Sequence, residues 1–245
     1  MSDHRQSPMQ AYTQALAQGF IDDPAQRQAV AVLEQCYQAI QSGSAQVTGV
    51  YLYGRVGRGK TWLMDQFYRN LSVPARRQHF HRFMQDIHQR LFRLTGTANP
   101  LAVIAAELSH EIEVLCFDEL FVSDIADAMI LGGLFQALFA QGLIVVATSN
   151  QPPADLYSEG YNRTRFLPAI AALEQHMQLV SVDGVQDHRL HNGPTVRRYW
   201  TRAADQHSEM PAVFAQLSAQ QAVAEGRLAL GERTIITQAY SDEVV

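Results

Sequence analysis

Short apolar runs alternate along the chain with longer stretches in which apolar residues return every three or four positions. Thr48–Tyr53, Leu143–Ala147 and Met177–Val182 are runs of the first kind, and Val114–Phe117 is a fourth inside Glu113–Glu119. Runs this short and this apolar predict strands buried on both faces. The helical period predicts helices over 9–18, 24–41, 60–71, 84–95, 100–111 and 124–141. In the second of these, Ala29, Val32, Leu33, Cys36 and Ile40 share one face. Asp23 and Pro24 suit its cap and first turn, and Ser42-Gly43-Ser44 ends it. In the helix over 124–141 the apolar face is Ile125, Met129, Leu134 and Leu138. Gln78–Phe83 alternates and predicts a strand with His79 and His81 on one face. A structural role suits this pair better than metal binding, because no third ligand is spaced nearby. Residues 161–175 carry Arg163 and Arg165 just before a helix.

The pattern weakens beyond Asp183. Residues 188–199 are polar, 211–230 predict one helix, and 228–245 hold short strand-like runs and an acidic tail. Residues 1–8 are expected to be disordered. Alternating strands and helices indicate an α/β fold, a doubly wound and mostly parallel sheet with helices on both faces.

The link between the first strand and its helix brings in chemistry. Gly54-Arg55-Val56-Gly57-Arg58-Gly59-Lys60-Thr61 fits the phosphate-loop pattern G-x-x-x-x-G-K-[ST] at every fixed position. Glycines let successive backbone N–H groups turn toward phosphate oxygens. The helix N-terminus adds a positive dipole end. Lys60 suits the β- and γ-phosphates of a nucleotide, and the Thr61 hydroxyl suits Mg²⁺. The strand before the loop and the helix after it are the context that the pattern requires; a chance Gly-rich turn lacks them.

The run Val114–Phe117 delivers Asp118 and Glu119 at its C-terminal end, where parallel sheets bind ligands. Asp118 suits Mg²⁺. Glu119 suits activation of an attacking water. Alone, an acid pair can simply begin a loop; downstream of a phosphate loop it gains meaning. Thr148-Ser149-Asn150 at the end of the next strand has two readings of equal weight. It places an amide by the γ-phosphate, or it caps a helix that Pro152 and Pro153 begin.

Composition narrows the function classes. The chain has 245 residues, 47% hydrophobic and 18% charged, with net charge −5. An acidic balance argues against a nucleic-acid surface. Two cysteines make a disulfide framework a poor expectation and fit a reducing cytoplasm. Cys116, inside an apolar run, reads as core. No apolar run approaches 18 residues, so no membrane insertion is expected.

The same motifs carry a resemblance. Residues 54–68 (GRVGRGKTWLMDQFY), 79–84 (HFHRFM), 114–135 (VLCFDELFVSDIADAMILGGLF), 146–153 (VATSNQPP), 156–170 (LYSEGYNRTRFLPAI) and 183–190 (DGVQDHRL) run in family order across roughly residues 10–190. The chain resembles the AFG-like ATPases, nearest their bacterial cell-division members. The resemblance implies a three-layer αβα P-loop NTPase core of the AAA+ class, with a five-stranded sheet and a helical lid after it. It implies ATP and Mg²⁺ as ligands and ATP hydrolysis as the activity. Asn150 becomes the residue that positions water, and Arg163 the first candidate for an arginine finger reaching a second copy, with Arg165 next. It also implies the divisome as partner, through the tubulin-like protein FtsZ, and a cytoplasmic place of action at the division site.

The family pattern has Gly where this chain has Arg55, a position the general pattern leaves free. Family members continue past this C-terminus. The expected divisions are therefore N-terminal helices at 1–45, the ATPase core at 46–190, and a partial or abbreviated lid at 191–245. A P-loop small-molecule kinase and a nucleotide-dependent binding module with little turnover remain as other readings. No Asn-Lys-x-Asp stretch favours a GTPase.

Overall fold

The computed structural model describes residues 6–184, and the backbone of Val223–Leu230 and Arg233–Tyr240. Seven helices are described: α1 (Pro8–Ala17), α2 (Pro24–Gln41), α3 (Lys60–Arg69), α4 (Phe80–Arg93), α5 (Pro100–Glu111), α6 (Ile125–Ala140) and α7 (Leu167–His176). They surround strands β1 (Gly49–Tyr53), β2 (Ala75–His79), β3 (Val114–Asp118), β4 (Ile144–Ser149) and β5 (Met177–Ser181). The sheet order is β2-β3-β4-β1-β5, and every pairing is parallel.

Strand residues alternate between two cores, as the two-residue period requires. Val50, Leu52, Val114, Cys116 and Val146 pack toward α2 and α3. Tyr51, Leu115, Phe117, Val145 and Ala147 pack toward α4, α5, α6 and α7. The result is the three-layer αβα core that the motifs implied. Because β1 lies between β4 and β5, chain crossovers leave to opposite sides there, and the C-terminal ends of β1, β3 and β4 converge. Parallel sheets place their ligand sites at such points.

Both cysteines are buried in the α2–α3 layer. Burial pushes the Cys36 thiol up to about 12 and raises that of Cys116 as well. Neither is expected to react with a disulfide reagent until the protein unfolds, which thiol titration before and after denaturant would check.

Four local expectations are corrected. The strand over Gln78–Phe83 is instead the end of β2 followed at once by α4. Phe80, Phe83, Met84 and Ile87 are buried at helical spacing. Phe80 and Phe83 pack on Phe117 of β3, with ring centres 5.4 and 4.7 Å away. His79 therefore ends a strand, while His81 starts a helix and bonds Gln85. In α6, Leu134 and Leu138 are core, but Ile125 and Met129 are exposed; Ala128, Leu131 and Phe135 complete the buried face. Pro152 and Pro153 begin only a 3₁₀ turn, Pro153–Asp155. At the other end, of the disorder expected over 1–8, Ser7 and Pro8 are instead ordered: α1 starts at Pro8, and Ser7 and Gln10 form a capping box, while residues 1–5 lie outside those described.

The chain divides into two compact units, residues 1–192 and 193–245. In the second, β6 (Val223–Leu230) and β7 (Arg233–Tyr240) pair antiparallel, with Leu230 opposite Arg233. The helix expected over 211–230 is thus a strand from Val223 onward; residues 211–222 lie outside those described. The β-branched run Thr234-Ile235-Ile236-Thr237 offers a strand partner, and cross-strand pairing overrides a weak helical period.

Candidate functional site

Gly54 to Thr61 leaves the end of β1 and enters α3 at Lys60. Gly54, Gly57 and Gly59 all have positive φ, at 143°, 84° and 82°. Gly59 is the N-cap of α3 and no side chain caps it. The first N–H groups of α3 therefore receive no cap from the Gly59 side, the condition under which helix N-termini can accept anions.

Two distant residues shape this loop. Asp183, just after β5, accepts the Arg55 N–H at 2.7 Å. Gln26, buried in α2, donates from Nε2 to the Arg58 carbonyl at 2.9 Å. A Cβ on Gly59 would stand 2.5 Å from that same Nε2. Gly59→Ala combines a left-handed backbone with this clash. It is expected to cost about 1–2 kcal/mol. A denaturant midpoint unchanged from wild type would refute that.

Lys60 is buried. Its Nζ donates to the carbonyls of Gly54 at 2.5 Å and Arg55 at 2.9 Å, and to Oδ1 of Asn150 at 3.2 Å. Two of these bonds tie the ammonium to the loop, and the third ties it to the end of β4. Burial lowers the Lys60 pKa below the ordinary 10.5, while the charges of Asp183 and Glu119 act in the opposite direction.

The end of β4 holds the acid pair. Thr148 Oγ1 accepts the Glu119 N–H at 3.1 Å, and the Thr148 carbonyl accepts the Leu120 N–H at 2.7 Å. Ser149 donates to the Leu120 carbonyl at 2.8 Å and accepts the Gln151 N–H at 3.3 Å. Glu119 sits at φ 53°, in the left-handed region that a non-glycine residue rarely adopts. The three bonds to Thr148 and Ser149 hold it there, and backbone strain of this kind gathers at working residues. In Thr148-Ser149-Asn150, the first two residues clamp the exit of β3 and the third reaches Lys60.

Asp118 is buried. Its Oδ2 lies 2.6 Å from the guanidinium of Arg77, while its Oδ1 is buried with no hydrogen-bond partner. That unpartnered carboxylate oxygen and the Thr61 hydroxyl are both hard oxygen donors, the type that Mg²⁺ takes. No cluster of three metal-ligating side chains exists among the described residues.

A cavity of about 310 Å³ lies over the loop, from Gly57 to Trp62, and is bounded by Glu119, Asn150 and Phe20. Phe20 stacks on Trp62 with ring centres 5.1 Å apart. A larger cavity, about 870 Å³, adjoins it through Glu119, Ser149 and Asn150 and runs along α4. The loop that fits the phosphate pattern lines the smaller one. The larger one gives Glu119 a second, solvent-facing side.

Arg163 and Arg165 fall in a 3₁₀ turn before α7. Arg163 is half-buried and donates to the Ala154 carbonyl at 2.5 Å. Arg165 is exposed. Arg77 and Gln26 lie outside the quoted motifs, and Asp65 and Asp183 lie inside them without a role having been read for either. Arg77 sits in a polar edge strand, Ala75–His79, that no apolar period marks.

The family model described as AFG1-like ATPase matches residues 6–245. The cell division protein ZapE of Escherichia coli strain K12 is 44% identical over 211 residues, or 75% of this chain and 56% of that protein. Lactation elevated protein 1 homolog B of Danio rerio is 40% identical over 187 residues, or 71% of this chain and 37% of that protein. The chain thus spans about half the length of the first and about a third of the second. Among solved structures, a putative primosome component from Streptococcus pyogenes serotype M3 aligns over 68% of this chain and 85% of its own, with TM-score 0.51 and 21% identity. AMPPCP-bound DnaA from Aquifex aeolicus aligns over 71% of this chain and 51% of its own, with TM-score 0.50 and 18% identity. At these identities the two structures share the fold with this chain.

Proposed function

The chain belongs to the AFG1-like ATPase family, and from that premise we propose that it hydrolyses ATP with Mg²⁺ and works on protein partners in cell division. The observation that carries the reading is Lys60, whose ammonium is held in the hollow of the loop by Gly54, Arg55 and Asn150. Phosphate oxygens arriving there offer Lys60 a stronger, charge-assisted partner than the two carbonyls. The backbone N–H groups of residues 57–61 would stabilise charge on the same phosphates.

Thr61 and Asp118 would hold Mg²⁺, which when bound neutralises charge on the phosphates. Glu119 accepts a proton from water entering by the larger cavity, and that water attacks the γ-phosphorus in line as the bond from phosphorus to the β,γ-bridging oxygen breaks, leaving ADP and inorganic phosphate. Asn150 turns from Lys60 to position the water. The base lies against Phe20 and Trp62. An arginine from a second copy, Arg163 or Arg165, stabilises the leaving charge. Arg165 already has an exposed head, whereas Arg163 must first release Ala154.

Phosphate release from ATP and Mg²⁺, with no acceptor added and over a range of protein concentrations, tests this reading. Release that stops with a chelator and rises per chain with concentration is expected. Release that requires an acceptor molecule would favour a kinase instead. Arg163→Ala and Arg165→Ala are each compared for loss of the concentration dependence, and persistence of it in both would remove the finger. The cell-division role rests on similarity to ZapE. For this chain FtsZ is the proposed partner and the division site the proposed place of action. Co-sedimentation with FtsZ polymers is expected to change when ATP is added; identical pellets with and without ATP would count against it.

A further inference from the structure

Arg77 is an edge-strand arginine turned inward beneath the acid pair. One nitrogen lies 2.6 Å from Oδ2 of Asp118. The other pairs with Oδ1 of Asp65. Asp65 stands one helical turn beyond Thr61 on α3, so the two share a face. Arg77 therefore bridges the helix that carries Thr61 and the strand that carries Asp118. These are charge pairs rather than aligned hydrogen bonds, and Nε of Arg77 has no partner. Arg69 approaches Asp65 only at 3.8 Å, from a largely exposed position.

The arrangement has two physical consequences. Pairing Oδ2 fixes the Asp118 carboxylate in one rotation, and Oδ1 is the oxygen left open and buried. Without the guanidinium, two mostly buried carboxylates would stand close together, which attracts a divalent cation strongly. With it, the trio carries a single net negative charge.

We propose that Arg77 is a positioning residue for the cation. It turns Asp118 so that one oxygen faces the ion, and it supplies the counter-charge that keeps the ion out until nucleotide phosphates bring it. This rests on the nucleotide reading above.

Uptake of Mn²⁺, followed by loss of the free-ion paramagnetic signal, tests it on the full chain with and without ATP. The parent should take up Mn²⁺ with ATP and about tenfold or more weakly without it. Arg77→Met should bind Mn²⁺ without nucleotide about tenfold or more tightly than the parent. Arg77→Lys keeps the charge and should behave like the parent without nucleotide. Adding Asp65→Asn to Arg77→Met should remove the gain. A folded Arg77→Met protein with parental uptake in both conditions would overturn the proposal while leaving the nucleotide site standing. If Arg77→Met does not fold, Asp65→Asn decides. It leaves Arg77 and Asp118 neutral as a pair, so uptake with ATP should fall by about tenfold, and unchanged uptake overturns the proposal. A parent that takes up no Mn²⁺ with ATP overturns the nucleotide reading, and this proposal with it.

Discussion

Lys60→Ala should lower ATP affinity by roughly two to three powers of ten, because a desolvated charge pair with phosphate is worth about 2–5 kcal/mol. Arg55 and Arg58 belong to the same loop, but among the described residues the ammonium bonded to the Gly54 and Arg55 carbonyls and to Asn150 is that of Lys60. Titration with a fluorescent ATP analogue reads the loss directly, and wild-type affinity would remove the loop from nucleotide binding.

The same substitution has a signature in alkaline stability. The folded-state pKa of Lys60 is lowered by burial. Between that value and the ordinary 10.5, the unfolded chain binds a proton that the folded chain has released. The unfolded state then holds more protons, so this group makes stability rise with pH across that window. Below the window the cost of burying the charge applies in full. Lys60→Ala should flatten this rise in denaturation midpoints measured from neutral to alkaline pH. An unchanged slope would mean that the ammonium is not desolvated in the fold.

Glu119→Gln is expected to keep ATP binding and lose turnover by roughly two to four powers of ten, the range for removal of a general base. The substitution conserves shape. The backbone bond that holds residue 119, from its N–H to Thr148 Oγ1, is untouched. The melting temperature should therefore stay near wild type, and ATP should accumulate in the bound state. Turnover at the wild-type rate would exclude Glu119 as the base. A parallel loss of ATP affinity would indicate that its charge acts on Lys60 rather than on water. Thr148→Val makes a useful contrast. It removes the hydroxyl that holds Glu119 in its left-handed conformation, so a smaller loss of turnover with a lower melting temperature is expected.

The strands and helices of the core were legible wherever burial imposes a period. β3 is an apolar run covered on both faces, and α2 shows its buried stripe in Ala29, Val32, Leu33, Cys36 and Ile40. β2 was not legible. An edge strand of polar residues gains its identity from the backbone of β3, which local periodicity cannot see. Phe80 was misplaced for a related reason. Alternation over six residues cannot separate a strand from a helix start when the aromatic rings serve a later core.

By itself the sequence determined the Gly-rich link between β1 and α3, the pair Asp118-Glu119 at the end of β3, and the apolar strands β1, β3, β4 and β5. Each is written in contiguous residues, and its geometry follows from local backbone preferences. Only the tertiary structure decided what surrounds them. Asn150 meets Lys60 across 90 residues, and Asp183 meets Arg55 across 128. Arg77 reaches Asp118 from a neighbouring strand. Such contacts depend on which strands lie side by side and in what register, and crossover connections and core packing set that over the whole chain.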